Sequence, residues 1–300
     1  MSSAGLPVVA FVGLGNMGTP MARRLVEAGY PVRGTDLSDE ARERLTVVGG
    51  TAVADAATAV TGADVVVLML PDSSVVSAVL HNPGVASALS SGTVIVDMSS
   101  SEPMSTRALA EELAASGVRL VDAPVSGGVR GAENGGLTIM AGGADADIAL
   151  VTDLLGVLGR VVVAGPVGSG HAVKALNNLL SATHLWVTSE AMTAGQQFGL
   201  DPEVMLSVFN GSSGKSGSTE NKWPNFILPG SYDSGFGLRL MLKDMRIAAG
   251  LADAVGAPSA LGKDAIELWA RAADDLDPRA DHTRVAEWIA SQNNSEEETK

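Results

Sequence analysis

The stretch that decides the fold is VVAFV (Val8–Val12) followed by Gly13-Leu14-Gly15-Asn16-Met17-Gly18. Its first five residues are apolar and largely β-branched, which predicts a buried strand. The next residues, Thr19–Leu25, have the apolar spacing of a helix. A glycine loop between a strand and a helix is typical of a dinucleotide site, because its backbone can approach a pyrophosphate at the helix N-terminus. An ordinary glycine-rich turn in the same kind of fold is the alternative.

The rest of the N-terminal half alternates strands with helices, as in βαβ units built on a parallel sheet. The predicted strands are Val8–Val12, Val32–Thr35, Val65–Leu70, Val94–Val96, Arg119–Asp122, Thr138–Ala141 and Val161–Val163. The predicted helices are Pro20–Ala28, Asp39–Val47, Ser73–Leu80 and Ser105–Ser116. The fold class is therefore α/β, with a doubly wound dinucleotide-binding domain expected at residues 1–166.

After residue 166 the pattern becomes helical, which predicts an all-α domain at 167–300. A long helix, at about 168–198, joins the two domains. Its apolar residues surround most of the helix, so we expect it to be largely buried, between domains or subunits. Further helices are predicted at Pro202–Asn210, Lys243–Val255, Ser259–Arg271 and Thr283–Ser291. We expect a long irregular connection at 212–233 and disorder at 292–300.

Composition excludes several classes of protein. The 300 residues include 20 Lys and Arg against 34 Asp and Glu, a net charge of −14, which disfavours nucleic acids and membrane surfaces as partners. The chain has no cysteine, so disulfides and cysteine-ligated metals are excluded. Its 4 histidines lack the spacing of a metal pair, and we predict no metal. Without a recognisable signal peptide or membrane helix, we expect a cytoplasmic protein.

A carboxylate lies where a dinucleotide site selects its cofactor. Asp36 ends the second predicted strand, 18 residues after Gly18. A carboxylate there can accept hydrogen bonds from the adenosine ribose and repels the 2′-phosphate of NADP, so we predict NAD rather than NADP. The alternative is that Asp36 caps the helix Asp39–Val47, although Ser38 can cap it instead.

Two polar residues of the long helix, Lys174 and Asn178, share one face because they are one turn apart. Hydride transfer to a carbonyl requires a proton donor, and a lysine whose pKa is lowered by burial can supply the proton. The pair follows a glycine-rich junction, where we expect a cleft between the domains. The alternative is a structural lysine whose stem packs while its ammonium reaches water.

A second glycine turn, Ser126-Gly127-Gly128, follows the strand that ends at Asp122. Its NH groups and the serine hydroxyl form a donor set suited to a carboxylate, although a plain turn explains the glycines equally well. Lys243 and Asp244 are predicted to begin a later helix, with Asp244 as a cap.

Together these segments resemble the β-hydroxyacid dehydrogenase family over residues 8–289. Four motifs carry the resemblance, in family order: Gly13–Gly18, Asp122–Gly128, Gly168–Asn178 and Lys243-Asp244. The resemblance implies a Rossmann domain, a long helix leading to an all-helical domain, and an active site in the cleft between them. We also expect a homo-dimer or homo-tetramer.

The resemblance further implies roles for single residues. Lys174 matches the general acid/base, and Asn178 matches the residue that holds the substrate. Ser126, Gly127 and Gly128 match the residues that take its carboxylate, and Lys243 matches a lysine near substrate and nicotinamide. The remaining implied cofactor-binding residues are Gly13, Leu14, Gly15, Asn16, Met17, Gly18, Asp36, Met69, Leu70, Pro71 and Ser100.

The predicted activity is the NAD-dependent interconversion of a small 3-hydroxy acid and its semialdehyde or ketone, as in 3-hydroxyisobutyrate dehydrogenase. Tartronate semialdehyde reductase and threonate-type activities are the alternatives. Imine reductases share the fold, but many have another residue at the position of Lys174. A decarboxylating 6-phosphogluconate-type enzyme would need more cationic groups, and a non-catalytic dinucleotide-binding protein would not need Lys174 and Asn178. Gly136 stands where we expect a threonine, and the 212–233 segment matches no single specificity, so the substrate stays open.

Overall fold

Residues 5–292 are described by the computed structural model, and they form two compact units that divide between Lys174 and Ala175. The first unit is built on one sheet. Its described strands are β1 (Val9–Val12), β2 (Val32–Thr35), β3 (Thr51–Ala52), β4 (Val65–Leu68), β5 (Val94–Asp97), β6 (Arg119–Asp122), β7 (Val125–Ser126), β8 (Leu137–Gly142) and β9 (Gly159–Gly165).

The strand order is β3-β2-β1-β4-β5-β6-β8-β7, and β9 pairs with β8. β1 lies between β2 and β4, and it is parallel to both. The order therefore reverses between β1 and β4, and this reversal opens a crevice at the carboxyl ends of the strands. The doubly wound prediction is confirmed, and the crevice lies directly beside the glycine loop after β1.

Eight helices of the first unit cover the sheet. They are α1 (Gly18–Glu27), α2 (Asp39–Val47), α3 (Ala56–Val60), α4 (Ser73–Leu80), α5 (Pro83–Ala88), α6 (Pro103–Ala114), α7 (Gly128–Asn134) and α8 (Asp145–Leu158). Successive side chains of a strand point to opposite faces. Accordingly, Val9 and Phe11 pack into the hydrophobic cluster on one face, whereas Ala10 and Val12 pack into the cluster on the other.

The long helix α9 (Ser169–Phe198) carries the chain from the first unit into the second. The other helices of the second unit are α10 (Pro202–Asn210), a π-type segment (Ser218–Ile227), α11 (Leu238–Ala254), α12 (Ala260–Asp275), a 3₁₀ turn (His282–Arg284) and α13 (Val285–Gln292). Trp269 is fully buried in its core, and the ring of Trp186 lies 6.2 Å from it. This second unit is all-helical, as predicted.

Two sequence-based predictions about strands and loops are wrong. β8 runs antiparallel to β6 and β7, so the sheet is not wholly parallel. Apolar patterning reports burial but not strand direction, and the chain reverses between β7 and β8 by way of α7. The segment 212–233 is not irregular throughout, because Ser218–Ile227 is helical and buries Trp223 and Ile227. Its internal Pro224 concealed the helix, since proline usually ends one.

One further prediction about helices is wrong. The helix carrying Lys243 begins at Leu238 after Gly237, so Asp244 lies in its interior and is not a cap.

In the single chain, α9 leaves Val173, Leu176, Leu180 and Val187 exposed. Their spacing of three, four and seven residues places them along one side of the helix. Burial of this side between subunits stays a prediction. Of the segment 292–300, predicted to be disordered, Gln292 ends the helix α13, and 293–300 lie outside the described residues.

Among residues 5–292, no helix combines the length and apolar character that a membrane crossing requires.

Candidate active site

The glycine loop joins β1 to α1 in a conformation that requires glycine. Gly13 has a φ of +98°, and a Cβ at this position would lie 2.3 Å from the carbonyl oxygen of Met69. A Cβ at Gly18 would lie 1.9 Å from the carbonyl oxygen of Gly13. At Gly15, in contrast, a Cβ would meet only open space. The loop is therefore packed tightly at both ends and open in the middle, where a phosphate can approach the backbone.

Asp36 is tied directly to the glycine loop. Its Oδ2 accepts a hydrogen bond from the backbone NH of Leu14 at 2.7 Å, and its Oδ1 accepts one from Ser38 NH at 2.8 Å. The cap of α2 is Ser38, whose hydroxyl oxygen accepts from Ala41 NH. Because Ser38 makes the cap, the capping alternative for Asp36 does not hold.

The loop after β4 forms the other side of the crevice. Met69 and Leu70 are half-buried, and Pro71 is exposed. Leu70 NH donates to the hydroxyl of Ser99 at 3.0 Å, which links this loop to the loop after β5. Ser100, next in that loop, is half-buried. Within the first unit, the predicted cofactor residues thus gather at the carboxyl ends of β1, β2, β4 and β5. They are Gly13, Asp36, Met69, Leu70, Pro71 and Ser100.

The turn Ser126-Gly127-Gly128 connects β7 to α7. Gly127 has a φ of +127° and Gly128 a φ of +61°, values that an L side chain rarely adopts. Ser126 is held in register opposite Thr138 of β8. The turn is half-exposed at Ser126 and Gly128 and exposed at Gly127, so its NH groups can be reached by a small anion.

Lys174 and Asn178 are both buried, with 8% and 5% of their surface exposed. They lie in α9 and are one turn apart. The Nδ2 of Asn178 donates to Oδ2 of Asp244 at 2.6 Å. Asp244 is 2% exposed, so Asn178 is fixed by a buried carboxylate of α11.

Lys243 approaches the same carboxylate. Its Nζ lies 3.1 Å from Oδ1 of Asp244, but this oxygen accepts no well-directed hydrogen bond from a described residue. The contact is therefore an ion pair. Within the second unit, Asp244 thus joins Asn178 and Lys243 into one polar cluster.

Sequence reasoning missed Lys222. It lies in the π-type segment, and its Nζ donates to the hydroxyl of Ser181 at 2.7 Å. Burial lowers the pKa of Lys222 to about 8, and Asp281 opposes this effect. Burial by itself raises the pKa of Asp281, but hydrogen bonds from His282 and Thr283 outweigh burial and leave it far below its usual range. A lysine in an apparent loop gave no signal of burial.

Two protein-family models match the chain. Residues 8–168 match the NAD binding domain of 6-phosphogluconate dehydrogenase, and residues 168–289 match the model described as "NAD-binding of NADP-dependent 3-hydroxyisobutyrate dehydrogenase". Mitochondrial 3-hydroxyisobutyrate dehydrogenase of Bos taurus is 37% identical over 276 residues, 89% of this chain and 82% of that protein. The 2-(hydroxymethyl)glutarate dehydrogenase of Eubacterium barkeri is 39% identical over 242 residues, 80% of each. The chain belongs to the β-hydroxyacid dehydrogenase family.

A solved structure of Mycobacterium tuberculosis 3-hydroxyisobutyrate dehydrogenase with L-serine is similar throughout. Its TM-score is 0.88 at 30% sequence identity, and the match covers 95% of this chain and 99% of that one. This β-hydroxyacid dehydrogenase is an oxidoreductase that acts on the CH–OH group of a hydroxy acid with NAD as cofactor.

The described residues of this β-hydroxyacid dehydrogenase fit NAD. The open space at Gly15 suits the pyrophosphate, since the N-terminus of α1 presents backbone NH groups there. Asp36, at the end of β2, is an acceptor for ribose hydroxyls. Met69, Leu70 and Ser100 are the candidates to bind the nicotinamide half.

Proposed function

We propose that the chain interconverts a small 3-hydroxy acid and its semialdehyde or ketone, with 3-hydroxyisobutyrate as the reference substrate. The observation that carries this proposal is the buried Lys174, one helical turn from an Asn178 whose amide is fixed by Asp244. A lysine with a purely structural role would extend its ammonium to water. A buried amine beside a fixed amide is instead suited to proton transfer with a substrate.

Each residue has one task in the proposed reaction. Bound NAD supplies the hydride acceptor. Lys174 takes the proton of the substrate hydroxyl in oxidation and returns it to the carbonyl oxygen in reduction. The Oδ1 of Asn178 accepts from Asn177 Nδ2 at 3.3 Å and keeps a second acceptor site for the substrate, while its Nδ2 is engaged by Asp244.

The substrate carboxylate is assigned to Ser126, Gly127, Gly128 and Lys243. A carboxylate that leaves water must find several donors and preferably an opposite charge. The glycine turn supplies NH groups, and Lys243 supplies the charge. Lys243 is 27% exposed in its side chain and so stays within reach of a ligand.

The small molecules named with the relatives share one chemical unit. 3-Hydroxyisobutyrate, L-serine and 2-(hydroxymethyl)glutarate all have a hydroxymethyl group on the carbon that bears a carboxylate. They differ only in the third substituent, which is methyl, ammonium or a second carboxylate arm. We infer that the chain recognises the shared hydroxy acid unit and selects among these substituents.

Initial rates of NADH formation test the proposal. The panel contains 3-hydroxyisobutyrate, L-serine, 2-(hydroxymethyl)glutarate, glycerate, threonate and 3-hydroxypropionate, with simple alcohols of equal size as controls. We expect kcat/KM for the best acid to exceed that of its matching alcohol by at least about a hundredfold. Preference for glycerate, the reduced form of tartronate semialdehyde, or for threonate would assign the alternative activities. Equal rates with acids and alcohols would contradict the proposal.

We also propose that the chain is a homo-dimer or homo-tetramer that assembles through α9. Leu176, Leu180 and Val187 are 44%, 59% and 54% exposed, and they form the apolar side of the helix with Val173. No Asp or Glu occurs between His171 and Ser189, although the chain carries a net charge of −14. Two copies can therefore meet here without bringing carboxylates together.

Sedimentation velocity tests this assembly. Leu180→Glu should shift the protein to the monomer, whereas Val47→Glu, at an exposed site of α2, should not. An unchanged oligomer with Leu180→Glu would move the interface elsewhere. The cytoplasmic location and the domain boundary at 166/167 stay predictions.

A further inference from the structure

Three buried titratable residues of the first unit have no role in the proposed reaction. Asp97 ends β5, Asp122 ends β6, and His171 lies in the first turn of α9. Each is at most 2% exposed. The Nε2 of His171 lies 3.7 Å from Asp97 Oδ2, and its Nδ1 lies 3.9 Å from Asp122 Oδ2. The imidazole is therefore placed between two carboxylates.

Both ring nitrogens of His171 are engaged in hydrogen bonds. Nε2 donates to the carbonyl oxygen of Ser99 at 3.1 Å, because a carbonyl can only accept. Nδ1 shares a hydrogen bond of 2.8 Å with the hydroxyl of Thr106. The ring is thus held on one side by the loop after β5 and on the other side by α6.

Both carboxyl groups beside the ring accept hydrogen bonds. Asp97 accepts from Ser99 NH and from the Ser101 hydroxyl. Asp122 accepts from Gly168 NH at 2.6 Å and from His171 NH at 2.9 Å. Burial raises the pKa of Asp122, and the nearby His171 and these backbone bonds oppose that effect.

Other charged side chains on the surrounding elements are engaged elsewhere or lie one turn away. The guanidinium of Arg107, in α6, donates to the carbonyl of Val167. The carboxylate of Glu102 accepts from the Ser105 hydroxyl. Lys174 is the next charged residue of α9. The His171 imidazole is thus the described side chain that lies between Asp97 and Asp122.

The same cluster holds the start of α9 against the sheet. A Cβ at Gly170 would lie 2.0 Å from the carbonyl oxygen of Met140 in β8, so the helix begins in close contact with the strand. Asp122 binds the backbone NH groups on either side of that contact. Lys174 follows His171 by three residues, about one turn.

We propose that His171, buried between Asp97 and Asp122 and hydrogen-bonded to Ser99 and Thr106, is a positioning residue that fixes the first turn of α9 and thereby the backbone that carries Lys174. The proposal rests on the proposed role of Lys174. Through Ser99, whose hydroxyl accepts from Leu70 NH, the ring also joins this turn to the cofactor side of the crevice. His171 acts through Lys174 and does not itself exchange a proton with the substrate.

NMR of the wild-type protein, labelled with nitrogen-15 at its histidines, tests the anchoring without any variant. The chain has 4 histidines, so the ring signals can be assigned with one substitution at a time. We expect the Nε2 proton of His171 to exchange slowly with water, because the ring is buried and this proton is bonded to the Ser99 carbonyl. Exchange as fast as that of a solvent-exposed histidine would overturn the proposal, whatever the enzyme's substrate proves to be.

Kinetics test the positioning role. His171→Gln should lower kcat at least about tenfold while KM and the Kd for NAD change less than about twofold, because the lysine is displaced but the binding residues remain. His81→Gln, at an exposed ion pair with Glu112, is the matched control and should be unchanged. Equal losses in kcat and in NAD binding would show a merely structural role and would overturn the proposal.

Thr106 provides a second test if His171→Gln does not fold. Thr106→Ser keeps the hydroxyl that is hydrogen-bonded to Nδ1, whereas Thr106→Val removes it with little change in shape. We expect Thr106→Ser to retain wild-type kcat and Thr106→Val to lose it as His171→Gln does. Equal kcat in the two variants would contradict the proposal. Loss of all activity in Lys174 variants alone concerns the proposed function, not the state of His171.

Discussion

The side-chain amide of Asn178 donates a 2.6 Å hydrogen bond to the buried carboxylate of Asp244. The two residues are 66 positions apart in the sequence, yet each is at most 5% exposed. A buried carboxylate is costly unless it is bonded, and Asp244 has Asn178 and Lys243 as its partners. The pair therefore fixes which face of the Asn178 amide is available to a substrate.

Asp244→Ala should lower kcat/KM at least about tenfold, roughly 1.4 kcal/mol, because Asn178 and Lys243 lose their common partner. Asp244→Asn keeps an acceptor oxygen but not the charge, and it should fall between Ala and wild type. Asp253→Ala, which breaks an exposed ion pair on the same helix, is the control. Wild-type kinetics in a folded Asp244→Ala would contradict this account.

Asp36 should give the enzyme a preference for NAD. The carboxylate repels the 2′-phosphate of NADP, and the nearby Arg33 is engaged by the carbonyl of Thr61 at 2.6 Å. Asp36→Asn should lower the ratio of kcat/KM for NAD to that for NADP by about tenfold or more. Asp39→Asn, exposed in the first turn of α2, should leave the ratio unchanged. A wild-type preference for NADP would show that Asp36 does not select the cofactor.

Lys243 should distinguish acids from their methyl esters. Esterification removes the charge that Lys243 offsets, so kcat/KM for the ester should be at least about tenfold lower in the wild type. Lys243→Ala should then harm the acid much more than the ester. If both substrates lose equally, Lys243 serves the cofactor or the Asp244 pair, and the carboxylate is held by the turn Ser126–Gly128.

Because of Lys222, the free energy of unfolding should depend on pH in the alkaline range. Its pKa is lowered to about 8 in the folded chain, mainly by burial, whereas an unfolded lysine titrates near 10.5. Below about pH 8 the amine is protonated in both states, so no proton is exchanged. Between these values unfolding takes up a proton, and the free energy of unfolding rises with pH by up to about 1.4 kcal/mol per unit.

Urea unfolding of the wild type and Lys222→Met at pH values from 7 to about 10 measures this effect. The wild type should gain stability relative to Lys222→Met as the pH rises above about 8. Lys263→Met, at an exposed ion pair, should show no such trend. A constant difference between wild type and Lys222→Met would mean that Lys222 is not buried as a cation.

Much of the fold was predictable because its signals are local. The strands Val32–Thr35 and Arg119–Asp122 and the helices Asp39–Val47 and Ser73–Leu80 begin and end as the sequence predicts. Strand direction was not predictable, because β8 reads like any buried strand and only its pairing shows it to be antiparallel. The sequence also did not indicate which side of α9 is exposed in the single chain, since an apolar side chain does not reveal what covers it.

For the candidate site, the glycine loop and Asp36 could be predicted because strand, loop and helix follow one another in sequence. The hydrogen bond from Leu14 NH to Asp36 shows that the carboxylate lies beside the loop. The contacts of Asp244 with Asn178 and of Asp97 with His171 could not be predicted, because each joins residues that are far apart in the sequence. Such contacts depend on packing, which no local spacing encodes.

The most direct test of the account is the turnover of Lys174→Ala with NAD and the best acid of the substrate panel, both saturating. We predict a fall in kcat of about a hundredfold or more, the usual effect of losing a positioned proton-transfer group, with the Kd for NAD nearly unchanged. Lys263→Ala, which removes an exposed lysine, should behave as the wild type. If Lys174→Ala unfolds at a lower temperature but turns over normally while folded, Lys174 is a packing residue and the proposed mechanism is wrong.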